Sequence, residues 1–110
     1  MEFIYITKIY HVATSNTYIK LGYSADMIRR CNELMQHNPE FVFLDWKLYK
    51  QYNKSTGYRK IETKIHRSNR DYCANLTKDV MPDGNTECYH AYAEKWLEAE
   101  LMRYNFEQVF

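Results

Sequence analysis

No apolar run in these 110 residues approaches the roughly 20 that a membrane-crossing helix needs, so a membrane protein is not expected. Paired cysteines are missing too. The three present, Cys31, Cys73 and Cys88, form an odd set with no CxxC, which argues against a disulfide framework and suits a reducing compartment. Asn53-Lys54-Ser55 and Asn75-Leu76-Thr77 then match the glycosylation pattern by chance. Met1 to Tyr10 mixes Glu2, Lys8 and aromatic residues where a secretory leader would have a basic start and a pure apolar stretch, so the expected location is the cytoplasm. An excess of one charge sign is lacking as well: 15 basic against 14 acidic residues give +1. Any basic surface must come from local clusters such as Arg29-Arg30, Lys47/Lys50/Lys54 or Arg59-Lys60-Lys64-Arg67-Arg70. No repeat or low-complexity segment is visible. What remains is 45 % hydrophobic and 26 % charged, the composition of one globular domain over residues 1–110, too short for two. The eleven tyrosines suit half-buried sheets and binding surfaces alike, with packing as the default role for most.

Phe3 to Val12 is rich in Ile, Tyr and Val, Thr17 to Gly22 alternates polar and apolar, and Ala13 to Asn16 is turn material, a pattern that predicts a β-hairpin. Period-2 geometry puts Ile4 and Ile6 on one face and Tyr5 on the other, with Ile19 and Leu21 opposite Tyr18 and Lys20. Tyr5 and Lys20 can therefore share the face turned away from the core. Ser24 reads as an N-cap for a helix carrying Met27, Cys31 and Leu34 and stopped at Asn38-Pro39. Phe41 to Tyr52 predicts a strand with Val42, Leu44, Trp46 and Leu48 on its apolar face. From Tyr58 to about Arg70 the pairs Ile61/Ile65 and Glu62/His66 lie one helical turn apart, an apolar stripe beside one carrying a carboxylate and an imidazole. Asp71 to Thr86 reads as a long loop, and an amphipathic helix is expected from His90 onward. The order β-β-α-β-α-α implies an α+β fold, a small antiparallel three-stranded sheet with helices packed against it.

Singly, these residues have ordinary roles: a strand tyrosine, a solvated arginine, a helix face with Glu and His. Their order carries more. Phe3-Ile4-Tyr5-Ile6, then Lys20-Leu21-Gly22-Tyr23-Ser24-x-Asp26 leading to Arg30, Leu34-x-x-x-Asn38-Pro39, Glu62-x-x-Ile65-His66 and Glu87-Cys88-Tyr89 together resemble the GIY-YIG nuclease superfamily, in particular its phage and viral branch with a Lys-Ile-Gly second motif. The resemblance runs from Phe3 to about Tyr89. Phe3 stands where the name-giving glycine would be, and Cys88 replaces the tryptophan of the last motif.

The resemblance implies a divalent-metal-dependent endonuclease that hydrolyses DNA phosphodiester bonds, with RNA left open, and a phage or viral setting. Such chemistry needs an activated water, cationic stabilisation of a crowded phosphorane, and help for the departing oxyanion. By resemblance, Tyr5 activates or orients the water, and Lys20 on the same sheet face is the cation that favours its phenolate. Arg30 presents a permanently charged fork to the phosphorane. Glu62 holds one Mg²⁺ or Mn²⁺. His66 has three readings: phosphate contact, ordering of a metal-bound water, or a plain helix-surface residue. Tyr18 and Tyr23, with Arg29, are candidates to line the substrate groove, sheet packing being the competing role for the two tyrosines. Glu87 either orders the long loop or assists the metal. A zinc site from His66, Cys73, Cys88 and His90 matches no close-paired ligand spacing. With little chain left for a separate DNA-reading module, the domain would nick one strand, cut single strands, or pair with a second copy as a homodimer. Two rivals from other classes are a catalytically silent nucleic-acid- or protein-binding module on the same scaffold, and an interaction protein whose tyrosine-rich face and last helix form a homo-oligomer interface.

Overall fold

The computed structural model describes residues 1–110. The predicted hairpin forms from β1 (Phe3–His11) and β2 (Asn16–Ser24), in a register that sets Tyr5 opposite Gly22 and Thr7 opposite Lys20. Helix α1 (Met27–His37) follows, then β3 (Phe41–Gln51), which pairs antiparallel with the other side of β1. Helix α2 (Tyr58–Ser68) leads through a long connection to β4 (Cys88–His90), then α3 (Glu94–Arg103) and β5 (Phe106–Gln108).

The α+β class holds, but the sheet has five strands in the order β4-β2-β1-β3-β5, not three. The two additions are edge strands of three residues each, too short to show an alternating pattern. His90 ends β4 and Ala91–Ala93 form a 3-10 turn, so the last helix begins at Glu94 and not at His90.

Carboxylates meet the first turns of α1 and α2. The N-cap of α1 is Asp26, whose side chain accepts the Arg29 N–H at 3.2 Å, and not Ser24, whose hydroxyl accepts the Asp26 N–H at 2.9 Å from the end of β2. Helix α2 follows Gly57, which has no side chain to cap it; Glu2, distant in sequence, accepts the Tyr58 N–H at 3.0 Å instead.

The hairpin alternation divides the molecule into two halves. Ile4, Ile6, Ile19 and Leu21 join Ile65 of α2 and Leu97 and Leu101 of α3 in the main apolar cluster. On the opposite face, Ile9 and Phe41 meet Met81 and Cys88 in a smaller one. That second face, expected to be turned away from the core, is covered: Tyr5, Thr7 and Lys20 are all fully buried. β3 departs from the simple alternation because Lys8 pairs with Asp45 while Ile9 pairs with Phe43, leaving Leu44 as a bulge. Val42 and Leu44 therefore stay exposed, and Phe43 turns to stack on Trp46 at 5.7 Å.

Candidate active site

Tyr5 projects from the middle of β1 across Gly22, and a Cβ at that position would collide with the hydroxyl end of the Tyr5 side chain. The glycine of the second motif is thus a requirement of the tyrosine facing it. Phe3 occupies an ordinary strand position beneath the Lys50 ammonium, 4.8 Å from the ring centre, so a glycine is not needed for the strand to carry Tyr5 inward.

Lys20 shares the face with Tyr5, as the alternation requires. Its Nζ donates to the Tyr5 hydroxyl at 2.8 Å and to Glu87 Oε1 at 2.6 Å. Burial alone would favour a neutral amine, but Tyr5 and Glu87 more than offset it, so the Lys20 pKa is raised and the ammonium persists. Burial would likewise raise the Glu87 pKa, yet the Lys20 charge and hydrogen bond pull it below the ordinary carboxylate range. Tyr5 goes the other way. Burial raises its pKa above 10 even though Lys20 works to lower it, so the resting group is a phenol and not the phenolate expected from the sequence.

Arg30, in the second turn of α1, sends both terminal nitrogens to Asp83, at 2.8 and 3.0 Å. Asp83 belongs to the segment read as a plain loop. His37 Nδ1 lies 2.9 Å from the same carboxylate, while the buried Asn38 side chain accepts the Asp83 N–H and donates to the Asp83 carbonyl, each at 3.0 Å. The Arg30 hydrogen bonds, followed by the His37 contact, hold the Asp83 pKa at about 2. Gly84, at φ +88°, lets the chain turn close against Lys20, where a side chain would strike Cε. One short stretch thus delivers Asp83 to Arg30 and Glu87 to Lys20. Sequence signals for it existed only as turn composition, Met81-Pro82-Asp83-Gly84, with nothing to show which elements it would reach.

Glu62 and His66, one turn apart on α2, meet Glu87 with one potential ligand atom from each lying within 4.8 Å of the others. His66 Nε2 is 3.7 Å from Glu62 Oε2, and His66 Nδ1 is hydrogen-bonded to the Tyr89 hydroxyl. His66 is therefore not the plain helix-surface residue. This is the only cluster of three or more His, Cys, Asp or Glu side chains with metal-ligand spacing. Cys73 and Cys88 lie in the two apolar clusters instead, and burial pushes the Cys88 thiol up to about 12, so the zinc grouping does not assemble.

A cleft of 540 Å³ runs past Tyr23, Arg29, Arg30, Arg59, Glu62, Thr63 and Glu87. A second of 360 Å³ shares Glu62, Thr63 and Glu87 and continues past His66, Arg67 and Arg70. Five arginines thus rim the acidic centre although the whole chain carries only +1. Tyr23 is on this surface, with the Arg59 guanidinium 5.0 Å over its ring. Tyr18 is not: it packs against the smaller cluster with its ring 6.5 Å from that of Phe41, the sheet-packing role and not a groove-lining one. The structure therefore brings Tyr5, Lys20, Arg30, Glu62, His66, Tyr23 and Arg29 to one region and leaves Tyr18 out of it.

Searches of curated proteins and of solved structures returned no match to this chain. Among protein families, the T5orf172 domain matches residues 2–105, a span that takes in every residue of the cleft and four of the five strands. The chain belongs to the T5orf172 domain family.

Proposed function

We propose that this domain is a divalent-metal-dependent endonuclease of the GIY-YIG type that hydrolyses phosphodiester bonds in DNA. The observation that carries this reading is the convergence, from β1, β2, α1, α2 and the turn before β4, of Tyr5, Lys20, Arg30, Glu62 and Glu87 on one arginine-rimmed cleft. That order of residues is also the one by which the sequence resembles the superfamily.

The donor set fits a cation. Glu62 is buried beside Glu87, its one ion-pairing neighbour is His66, and two adjacent carboxylates are a poor arrangement without a positive charge between them. Glu62 would hold the ion, which when bound supplies charge stabilisation to the departing oxyanion. Arg30 offers the phosphorane a planar cation in a site where burial strengthens electrostatics. Asp83 takes one hydrogen from each terminal nitrogen and so holds the guanidinium beside the Tyr5 hydroxyl, with its remaining N–H groups left for a phosphate oxygen. Tyr5 enters as a phenol and orients the attacking water. Lys20 fixes the Tyr5 oxygen and neutralises Glu87, so the buried polar centre survives without substrate. Arg29, Arg59, Arg67 and Arg70 along the clefts supply phosphate contacts that fix a strand without reading its sequence.

The test is cleavage of supercoiled plasmid and of labelled single-stranded DNA with Mg²⁺, Mn²⁺ or EDTA, with wild type beside Arg30→Ala and Glu62→Ala. Metal-dependent cutting that disappears in both variants is the expected result. Wild type that cuts nothing in any metal, or a Glu62→Ala protein with full activity, overturns the assignment.

A further inference from the structure

His66 holds its two ring nitrogens in different environments. Nδ1 is engaged by the Tyr89 hydroxyl, and the two rings stack at 5.6 Å with 5° between their planes, which fixes the imidazole in rotation and position. Nε2 is buried with no hydrogen-bond partner at all. Buried ring nitrogens are rarely left so. Glu62 Oε2, at 3.7 Å, is too far to accept a hydrogen from it. With the proton on Nδ1, donated to Tyr89, Nε2 presents a bare lone pair toward Glu62 and Glu87. A metal-binding histidine is held in this way, one nitrogen on the ion and the other N–H tied to a second group that sets tautomer and orientation.

The carboxylates complete the set. Glu62 is only 8 % exposed, and Glu87, with Oε1 on Lys20, sets its carboxylate against that of Glu62. The 4.8 Å spread of the three ligand atoms compares with about 4.3 Å between opposite ligands on an ion with bonds near 2.1–2.2 Å. Rotation of a glutamate arm closes the difference.

We propose that Glu62, Glu87 and His66 Nε2 together bind one first-row transition dication, and that the imidazole makes the site prefer such an ion to Mg²⁺. Mg²⁺ is hard, keeps its waters and takes oxygen ligands, whereas first-row transition dications, Mn²⁺ included, accept an imidazole nitrogen beside carboxylates more readily than Mg²⁺ does. The inference deepens the metal-dependent reading above by naming two further ligands and the class of ion. It is measured without any cleavage.

Mn²⁺ alone is the probe. Its binding to the full chain is followed by loss of the free-ion electron paramagnetic resonance signal, with Mg²⁺ as competitor. Wild type is expected to bind one Mn²⁺ and to need more than a tenfold excess of Mg²⁺ for displacement. His66→Ala should weaken Mn²⁺ at least tenfold and bring the two ions close to parity, Glu87→Gln should weaken both ions, and Glu62→Gln should abolish binding. Because a variant of a buried residue can fail to fold, Mn²⁺ is also titrated into unsubstituted protein by nuclear magnetic resonance. The His66 ring signals should broaden before those of His11, His37 and His90. Equal affinity for the two ions, an unchanged Mn²⁺ affinity in His66→Ala, or a His66 signal that survives saturation would each overturn the proposal. One Mn²⁺ bound through His66 in a protein that cuts nothing sustains this site and removes the nuclease reading. DNA cutting with ion binding indifferent to His66 does the reverse.

Discussion

The two faces of the sheet are built on different physics. Toward α2 and α3 the sheet buries Ile4, Ile6, Ile19 and Leu21 against Ile65, Leu97 and Leu101, side chains that need only the right volume and no particular partner. Toward α1 and the 81–87 turn it buries Tyr5, Thr7 and Lys20, and each depends on a named partner: Lys20 on Tyr5 and Glu87, Thr7 on the Asp45 carbonyl at 2.6 Å, Arg30 above them on Asp83. The first face accepts exchange between apolar side chains of like volume, and none of its strand residues Ile4, Ile6, Ile19 and Leu21 enters the candidate site. The second is fragile and holds the candidate site, as expected where polar groups are buried only when satisfied.

The contrast is broken most severely at Lys20, in the middle of β2. Lys20→Met leaves the half-buried Glu87 carboxylate and the Tyr5 hydroxyl without their cation, and urea unfolding should show a loss of about 3 kcal/mol or more, with Lys20→Met/Glu87→Gln recovering a measurable part. Equal stability of the single and double variants would show that the pair is not coupled. Next comes the apolar side. Ile65→Ala opens a cavity worth about 2–5 kcal/mol, while ion binding and any cleavage per folded molecule stay close to wild type, although Glu62 and His66 are its neighbours on the same helix. Loss of ion binding in folded Ile65→Ala would mean that the two faces are not separable. Gly22→Ala should cost about 1–3 kcal/mol by overpacking, and ring resonances of Tyr5 should shift most because the added carbon lands on that ring. The smallest effect is set by pH. The Asp83 pKa is depressed in the fold to about 2, so the stability it contributes is present above its ordinary 3.8 and is lost as pH falls from about 4 to about 2. Asp83→Asn should flatten that part of the stability–pH curve and leave the neutral region parallel to wild type.

The sequence was most readable where periodicity and pairing coincide. The hairpin alternation alone put Tyr5 and Lys20 side by side, and the Glu62/His66 spacing put both on one stripe of α2. It was least readable where contacts are long-range. A one-residue bulge at Leu44 has no composition signature, yet it turned Phe41, which is buried, and Phe43, which is half-buried, inward and left Val42 exposed. Ser24 and Asp26 are both good caps, and only the end of β2 decides between them. Asp83 sits in a run that any reader would assign to a turn, while its partners Arg30, His37 and Asn38 lie on and just after a helix some fifty residues earlier. Turn residues announce a change of direction, not its destination.

The separation along the chain between those partners has a consequence for timing. Lys20 waits 67 residues for Glu87, and Arg30 waits 53 for Asp83. Joining ends so far apart is slow relative to closing the hairpin, since chain closure must precede the contacts that reward it. During synthesis, therefore, the hairpin, α1 and α2 can emerge while Lys20 is still without Glu87 and Arg30 without Asp83. A nascent chain arrested before residue 83 would carry Tyr5, Lys20, Arg30, Glu62 and His66 and still lack Asp83 and Glu87, so the polar centre is completed only with the last quarter of the chain.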